Sequence, residues 1–116
     1  DNTCVKAAVE SAGEGRVLVV DGGGSLRRAL LGGNLAAVAA SNGWAGLVIN
    51  GAVRDVAELG SCNIGIMALA LVPMPTQRRN EGQRDIAIQI QEVWVRPGDW
   101  LYADADGVVI TAHALI

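Results

Sequence analysis

The chain has 116 residues, a length that suits one domain with a substantial hydrophobic core. Its residues are 51% hydrophobic and 18% charged, a balance that excludes an intrinsically disordered chain. The formal net charge of −3 provides no basic surface, so we expect no direct nucleic-acid partner. Phe is absent and aromatic residues are few, so the core must be built from Val, Leu, Ile and Ala.

The two cysteines, Cys4 and Cys62, are too few and too far apart in sequence to indicate a disulfide framework or a zinc site. We expect reduced thiols and a cytoplasmic location. No apolar run approaches the roughly 18 residues of a membrane span, and no signal peptide is visible, so we expect no membrane partner.

The first third of the chain predicts a helix, a strand and two further helices. Residues 3–11 have a short helical pattern, and residues 16–20 form an apolar run typical of a strand buried on both faces. After a glycine-rich turn, Ser25 is a plausible N-cap of a short helix that ends at Leu31. The pair Gly32-Gly33 predicts a break, because two glycines inside a helix cost roughly 2 kcal/mol relative to alanine. A new helix is expected from Asn34, as N-cap, to the glycine at position 43.

The middle of the chain continues the alternation. Residues 47–49 predict a second buried strand, residues 56–59 begin a short helix, and residues 64–71 predict a third strand. Alternating strands and helices predict parallel pairing through crossover helices. The C-terminal part instead predicts a β-rich tail, with strand patterns at residues 86–90, 93–95, 100–103 and 108–110.

Several motifs permit a functional and a structural interpretation. The segment DGGGSL follows a strand, but a dinucleotide-binding loop would need glycine where Arg27 stands, so a tight turn is favoured. Asp104 and Asp106 resemble part of a calcium loop, but the ligand pattern with its terminal Glu is missing, which favours a β-turn. His113 has no triad partners. The basic residues Arg78, Arg79 and Arg84 indicate an exposed, solvated loop rather than a binding patch.

The segment Gly32-Gly33-Asn34-Leu35 is a candidate anion site. If a helix begins there, its first N–H groups have no intrahelical acceptor and lie at the positive end of the helix dipole. Such a terminus is suited to a carboxylate. The alternative, that the glycines only kink a helix for packing, remains open on this segment alone.

Arg54 and Asp55 lie just past the end of the strand predicted over residues 47–49. Ligands of parallel α/β sheets bind beyond the carboxyl ends of the strands. Arginine can hold a carboxylate with two parallel hydrogen bonds, and an aspartate can hold a hard divalent cation such as magnesium. The structural alternative is a surface ion pair worth under about 1 kcal/mol.

Four stretches together carry a resemblance to a known family: VLVVDGGGSLRRALLGGNLA, NGWAGLVINGAVRDV, the strand IGIMALAL and RPGDWLYADADGVVI. Over essentially the whole chain they are similar to the RraA-like family, which contains regulators of ribonuclease activity A and class II 4-hydroxy-4-methyl-2-oxoglutarate aldolases. The VVDGGGS turn and GAVRD are the most specific pieces. The resemblance implies that residues 1–116 are a single RraA-like domain that lacks an N-terminal segment.

The resemblance also implies a fold and a site. The fold is α/β, a swivelling β/β/α-type domain with a central parallel or mixed sheet and a β-rich C-terminal part, assembled as a homotrimer. Backbone groups matching Gly32, Gly33, Asn34 and Leu35 bind the substrate carboxylate. Arg54 and Asp55 are the implied catalytic residues, with Arg54 binding substrate and Asp55 holding Mg²⁺ or Mn²⁺.

The implied reaction is metal-assisted cleavage of a small 2-keto acid to pyruvate, with oxaloacetate decarboxylation as a side activity. The cation would act as a Lewis acid on the enolate left by bond cleavage. A Schiff-base mechanism is disfavoured, because the single lysine, Lys6, lies far away in sequence. The alternative within the family is a regulator that binds and inhibits ribonuclease E without turnover.

One position departs from the aldolase pattern. Active aldolases of the family carry an aspartate where this chain has Gly33, and that side chain is expected to support the proton transfers. Its loss predicts a rate lowered by the roughly 10²–10⁴ typical of a missing acid–base partner.

Overall fold

The computed structural model describes residues 1–116, which form two compact units, residues 1–83 and 84–116. The elements of the first unit are α1 (Thr3–Val9), β1 (Val17–Asp21), β2 (Ala29–Leu31), α2 (Gly33–Ser41), β3 (Gly46–Val53), α3 (Val56–Ser61) and β4 (Gly65–Leu71). Those of the second are β5 (Ile88–Ile90), β6 (Val93–Val95), β7 (Trp100–Asp104) and β8 (Gly107–Thr111).

The first unit is built around β3. Strand β4 pairs along one edge of β3, while β1 pairs with the first half of the other edge and β2 with the second half. All three pairings are parallel, which confirms the predicted parallel sheet with crossover helices. Nearly every residue of β3 is buried, as expected for a central strand covered on both faces.

The core of the first unit is aliphatic apart from one tryptophan. The side chains of Leu31, Leu47, Ile49 and Val9 are its largest fully buried members. Trp44 joins them, and its indole N–H donates to the carbonyl of Ser11 at 3.1 Å. The predicted helix over residues 3–11 is confirmed as α1, with Val5, Ala8 and Val9 buried.

The predicted helix from Ser25 to Leu31 is wrong. Gly23 and Gly24 adopt left-handed backbone angles (φ 69° and 71°), and the chain then enters the fully buried strand β2. A short apolar run such as Ala29-Leu30-Leu31 fits either a helix or a buried strand, and pairing with β3 decides it here. The glycine turn therefore leads into a strand, which excludes the strand–turn–helix arrangement of a nucleotide loop.

Two boundaries also differ from the sequence-based prediction. Helix α2 begins at Gly33, with Gly32 rather than Asn34 as its N-cap, because Gly32 is extended (φ −129°, ψ −175°). Strand β3 continues past residue 49 to Val53, since Ala52 and Val53 pair with both β2 and β4. The predicted break at the glycine pair is confirmed, although a strand rather than a helix precedes it.

The second unit consists of two antiparallel pairs, β5 with β6 and β7 with β8, which confirms the predicted β-rich C-terminal part. Gln91 and Glu92, both with positive φ, form the two-residue connection of the first pair. In the second connection the N–H of Asp106 donates to Oδ1 of Asp104 at 2.8 Å, the geometry of a turn. None of the helices has the length and apolar character that crossing a membrane requires.

Candidate functional site

The site lies where β2 and β3 end side by side. Leu31 is the register partner of Val53, and the N–H of Arg54 donates to the carbonyl of Leu31 at 2.9 Å. Because the two strands are parallel, their next residues, Gly32 and Arg54, emerge at the same edge of the sheet. The pairing thus brings together two predicted sites that lie far apart in the sequence.

Asp55 has a left-handed backbone, with φ 64° and ψ 51°. For a residue other than glycine this conformation costs about 1 kcal/mol, and such outliers cluster at functional sites. Oδ2 of Asp55 accepts a hydrogen bond from the N–H of Gly33 at 3.0 Å. The chain therefore retains an aspartate where glycine would fit the backbone better, and its carboxylate ties α3 to the first residue of α2.

Gly32 leaves room for both functional side chains. A Cβ atom at this position would lie 2.8 Å from Oδ2 of Asp55 and 2.9 Å from Nε of Arg54. Nε of Arg54 is 3.9 Å from Oδ2 of Asp55, and the side chains are 39% and 31% exposed. At that separation and exposure the ion pair itself contributes little to stability, well under about 1 kcal/mol.

The first turn of α2 supplies free backbone donors beside Arg54. The first intrahelical bond is donated by the N–H of Ala36 to the carbonyl of Gly32. The N–H of Gly33 is taken by Asp55, whereas those of Asn34 and Leu35 have no acceptor within the protein. Among the predicted donors, the N–H of Gly33 is thus engaged, whereas those of Asn34 and Leu35 remain free.

A cavity of about 390 Å³ opens at this edge of the sheet. Its volume lies in the range of small-molecule sites. It is lined by Asn2, Ala29, Leu31, Gly32, Asn34, Leu35, Arg54, Pro75, Thr76 and Arg78. Predicted substrate-binding positions and two guanidinium groups therefore share one cavity.

Arg78 was missed as a site residue. The sequence predicts an exposed loop for Arg78, Arg79 and Arg84, and all three are exposed. Arg78 also lines the cavity, whereas Arg79 binds the side chain of Gln77. Residues 76–85 contain no named helix or strand, so no periodic pattern distinguished one arginine from the next. The fold, rather than a local motif, brings Arg78 into the lining of the cavity.

The position of the missing aspartate is filled by another carboxylate. A Cβ atom on Gly33 would lie 2.0 Å from Oε2 and 2.8 Å from Cβ of Glu58. Glu58 projects from the first turn of α3 and is exposed. The absence of a side chain at position 33 is what allows Glu58 to lie against the start of α2.

The residues at this edge fit a hard divalent cation that keeps most of its waters. Oδ1 of Asp55 has no hydrogen-bond partner in the protein, and the side chain is partly exposed. No group of three or more His, Cys, Asp or Glu side chains is arranged around a metal position. A single carboxylate oxygen with retained waters is a ligand set that Mg²⁺ accepts and Zn²⁺ does not favour.

Fold and site together define an α/β protein with an anion-binding pocket beyond the carboxyl ends of parallel strands. The family model described as Aldolase/RraA (RraA-like) matches residues 1–110, and the chain belongs to this family. The resemblance drawn from the sequence motifs is thereby confirmed.

Individual relatives are similar over the whole chain. A protein of Albidiferax ferrireducens, provisionally named 4-hydroxy-4-methyl-2-oxoglutarate aldolase, a carbon–carbon lyase, is 65% identical across 100% of this chain and 72% of its own length. The RNA-processing inhibitor RraA from Thermus thermophilus is 48% identical, with a TM-score of 0.94 over 97% of this chain and 68% of its own.

A Geobacillus kaustophilus structure described as an S-adenosylmethionine:2-dimethylmenaquinone methyltransferase is 45% identical over 99% of this chain and 71% of its own, with a TM-score of 0.96. The fold class is confirmed by these neighbours. Their different names mean that function must be argued from the site itself.

We expect Gly32→Ala to weaken binding of a small carboxylate such as pyruvate while the protein stays folded. The extended backbone of Gly32 accepts alanine, so the new methyl group acts only by displacing Arg54 and Asp55. A displacement of about 1 Å can cost roughly 10²-fold in kcat/KM. Thermal unfolding and pyruvate binding check this, with Gly60→Ala as control because a Cβ there meets nothing within 4 Å. Equal binding of pyruvate by the two variants would contradict a carboxylate site next to Arg54 and Asp55.

Proposed function

We propose that the chain is a divalent-metal-dependent class II aldolase that cleaves 4-hydroxy-4-methyl-2-oxoglutarate and similar 2-keto acids to pyruvate. Oxaloacetate decarboxylation is the proposed side activity, because it releases the same enolate. The observation that carries the proposal is that Arg54 and the free N–H groups of Asn34 and Leu35 share one strand-end cavity, with Oδ2 of Asp55 3.9 Å from Nε of Arg54.

The proposed roles follow from the chemistry of each group. Arg54 and the N–H groups of Asn34 and Leu35 hold the carboxylate next to the keto group. Asp55 holds the divalent cation, Mg²⁺ or Mn²⁺, which when bound supplies Lewis-acid polarisation of the keto oxygen. Arg54 also stabilises the negative charge that develops as the carbon–carbon bond breaks.

The cleavage needs two proton transfers. The C4 hydroxyl group loses its proton as the C3–C4 bond breaks, and C3 of the departing enolate gains one to give pyruvate. Gly33 contributes no side chain to either transfer, so we expect a slow enzyme rather than an inactive one.

We further propose that the chain forms a homotrimer, as the family resemblance implies. The outer strand of the sheet supports this, since Leu69 and Leu71 on β4 are 47% and 56% exposed and Val56 at the start of α3 is 62% exposed. Apolar residues exposed along one sheet edge are typical of a subunit interface.

The second candidate function is a regulator that binds ribonuclease E without turnover. Two observations favour it: the missing side chain at Gly33 and the close structural similarity to the Thermus thermophilus RNA-processing inhibitor. The free Oδ1 of Asp55 favours the lyase, because it leaves one carboxylate oxygen for the proposed cation.

Pyruvate release tests the two candidates. We expect release from 4-hydroxy-4-methyl-2-oxoglutarate and oxaloacetate with Mg²⁺ or Mn²⁺, above a blank containing metal alone, and loss of release with a chelator. Turnover that survives the chelator contradicts metal dependence. Absence of turnover, together with retention of the protein on a ribonuclease E scaffold segment, favours the regulator.

A further inference from the structure

The cavity at the strand ends contains a second guanidinium group, that of Arg78, which the proposed chemistry does not use. Arg54 and Arg78 both line it, and no carboxylate lies within 4.0 Å of Arg78. Two guanidinium groups facing one small cavity repel each other unless an anion lies between them. Oδ2 of Asp55 lies 3.9 Å from Nε of Arg54 and offsets its charge, so the charge that remains without a carboxylate partner in the cavity is that of Arg78.

Arg78 is held in place by a neutral partner. Its Nε donates to Oδ1 of Asn2 at 3.1 Å, and Nδ2 of Asn2 donates to the carbonyl of Leu30 at 3.0 Å. Asn2 is only 8% exposed, so this chain of bonds anchors the guanidinium to the sheet. An amide orients Arg78 without neutralising its charge.

The terminal nitrogens of Arg78 remain available. Only Nε is engaged, so Nη1 and Nη2 have no partner in the protein and form the edge that binds a carboxylate with two parallel bonds. The neighbouring arginines differ: Arg79 is bound to Gln77, and Nη1 of Arg28 donates to the carbonyl of Pro75. Arg78 is thus oriented and unneutralised within the cavity.

We propose that Arg78 binds the second carboxylate of a dicarboxylic 2-keto acid in the same cavity in which Arg54 binds the keto-acid group. The inference rests on the proposed function for the position of the first carboxylate. It assigns Arg78 as the residue that selects dicarboxylic over monocarboxylic substrates. Specificity of this kind arises because a ligand with only one carboxylate leaves the guanidinium group of Arg78 without an anionic partner.

Binding of two stable probes by isothermal titration calorimetry tests this, with 2-oxoglutarate as the dicarboxylate and pyruvate as the monocarboxylate, both in the presence of Mg²⁺. We expect Arg78→Gln to weaken 2-oxoglutarate by about ten- to hundredfold, as for loss of charged hydrogen bonds, with pyruvate changed less than about twofold. Arg78→Lys keeps the charge but not the paired donors, so it should give an intermediate loss.

Arg79→Gln is the matched control and should bind both probes like the wild type. Thermal unfolding of all three variants reports whether each is folded. The inference is overturned if folded Arg78→Gln loses affinity equally for both probes, or if it loses no affinity for 2-oxoglutarate. If the wild type releases no pyruvate but still binds 2-oxoglutarate through Arg78, the lyase proposal fails while the assignment of Arg78 stands.

Discussion

Asp55→Asn should lower the rate of pyruvate release by at least about 10²-fold while leaving the fold intact, because removal of one electrostatic stabiliser typically costs 10²–10³. Asparagine tolerates the left-handed backbone (φ 64°), and its side-chain oxygen can still accept from the N–H of Gly33. The substitution therefore removes the charge proposed to hold the cation and little else.

The readouts are pyruvate release and thermal unfolding, compared with those of Asp85→Asn. Asp85 is a matched control, because it is also left-handed (φ 57°) and forms no hydrogen bond or ion pair with another side chain. Asp55→Ala should lose activity too, but it also loses the bond to Gly33 and is expected to be less stable. Full activity in Asp55→Asn would remove Asp55 from the mechanism.

Gly33→Asp should raise pyruvate release by up to the roughly 10²–10⁴ attributed to a missing acid–base partner. The new side chain meets Glu58, whose Oε2 would lie 2.0 Å and whose Cβ would lie 2.8 Å from the added Cβ. The carboxylate of Glu58 is the end of a flexible side chain and can rotate away, whereas its Cβ requires a small shift of α3. We therefore expect some loss of stability together with the gain in activity, of the order of 1–3 kcal/mol for overpacking.

The double variant Gly33→Asp/Glu58→Ala separates steric from chemical effects. It removes the clashing carboxylate but keeps Cβ of residue 58, so it should recover part of the lost stability and retain the gain in turnover. Gly33→Ala is the control, since it adds the Cβ without a carboxylate and should not raise the rate. If Glu58→Ala alone lowers turnover as much as Asp55→Asn does, then Glu58 already supplies the missing carboxylate, and the expectation for Gly33→Asp is contradicted.

Much of the fold follows from local patterns. The apolar runs of β1, β3 and β4 and the alternation in the C-terminal part are read directly from the sequence, although of these only β3 is buried along its length and β1 is half-buried rather than buried on both faces. The strand β2 could not be read in this way, because three apolar residues after a glycine turn carry no period. Its strand character comes from pairing with residues 52–53 of β3, a contact between segments distant in sequence.

The candidate site shows the same division. Arg54 and Asp55 were predicted because they follow a strand, and the glycine pair because it begins a helix. These features meet at one edge of the sheet because Leu31 pairs with Val53. This strand register cannot be predicted from local sequence patterns. The position of Arg78 could not be predicted for the same reason. Its side chain is oriented by the hydrogen bond to Asn2, which lies near the other end of the first unit in sequence.

The most direct test of the central claim is a crystal structure determined with saturating Mg²⁺ and pyruvate. We expect the carboxylate of pyruvate on the guanidinium of Arg54 and the N–H groups of Asn34 and Leu35, with the cation on Asp55. Pyruvate bound elsewhere, or a cation that avoids Asp55 while the strand-end cavity stays empty, would contradict the assignment of a lyase site.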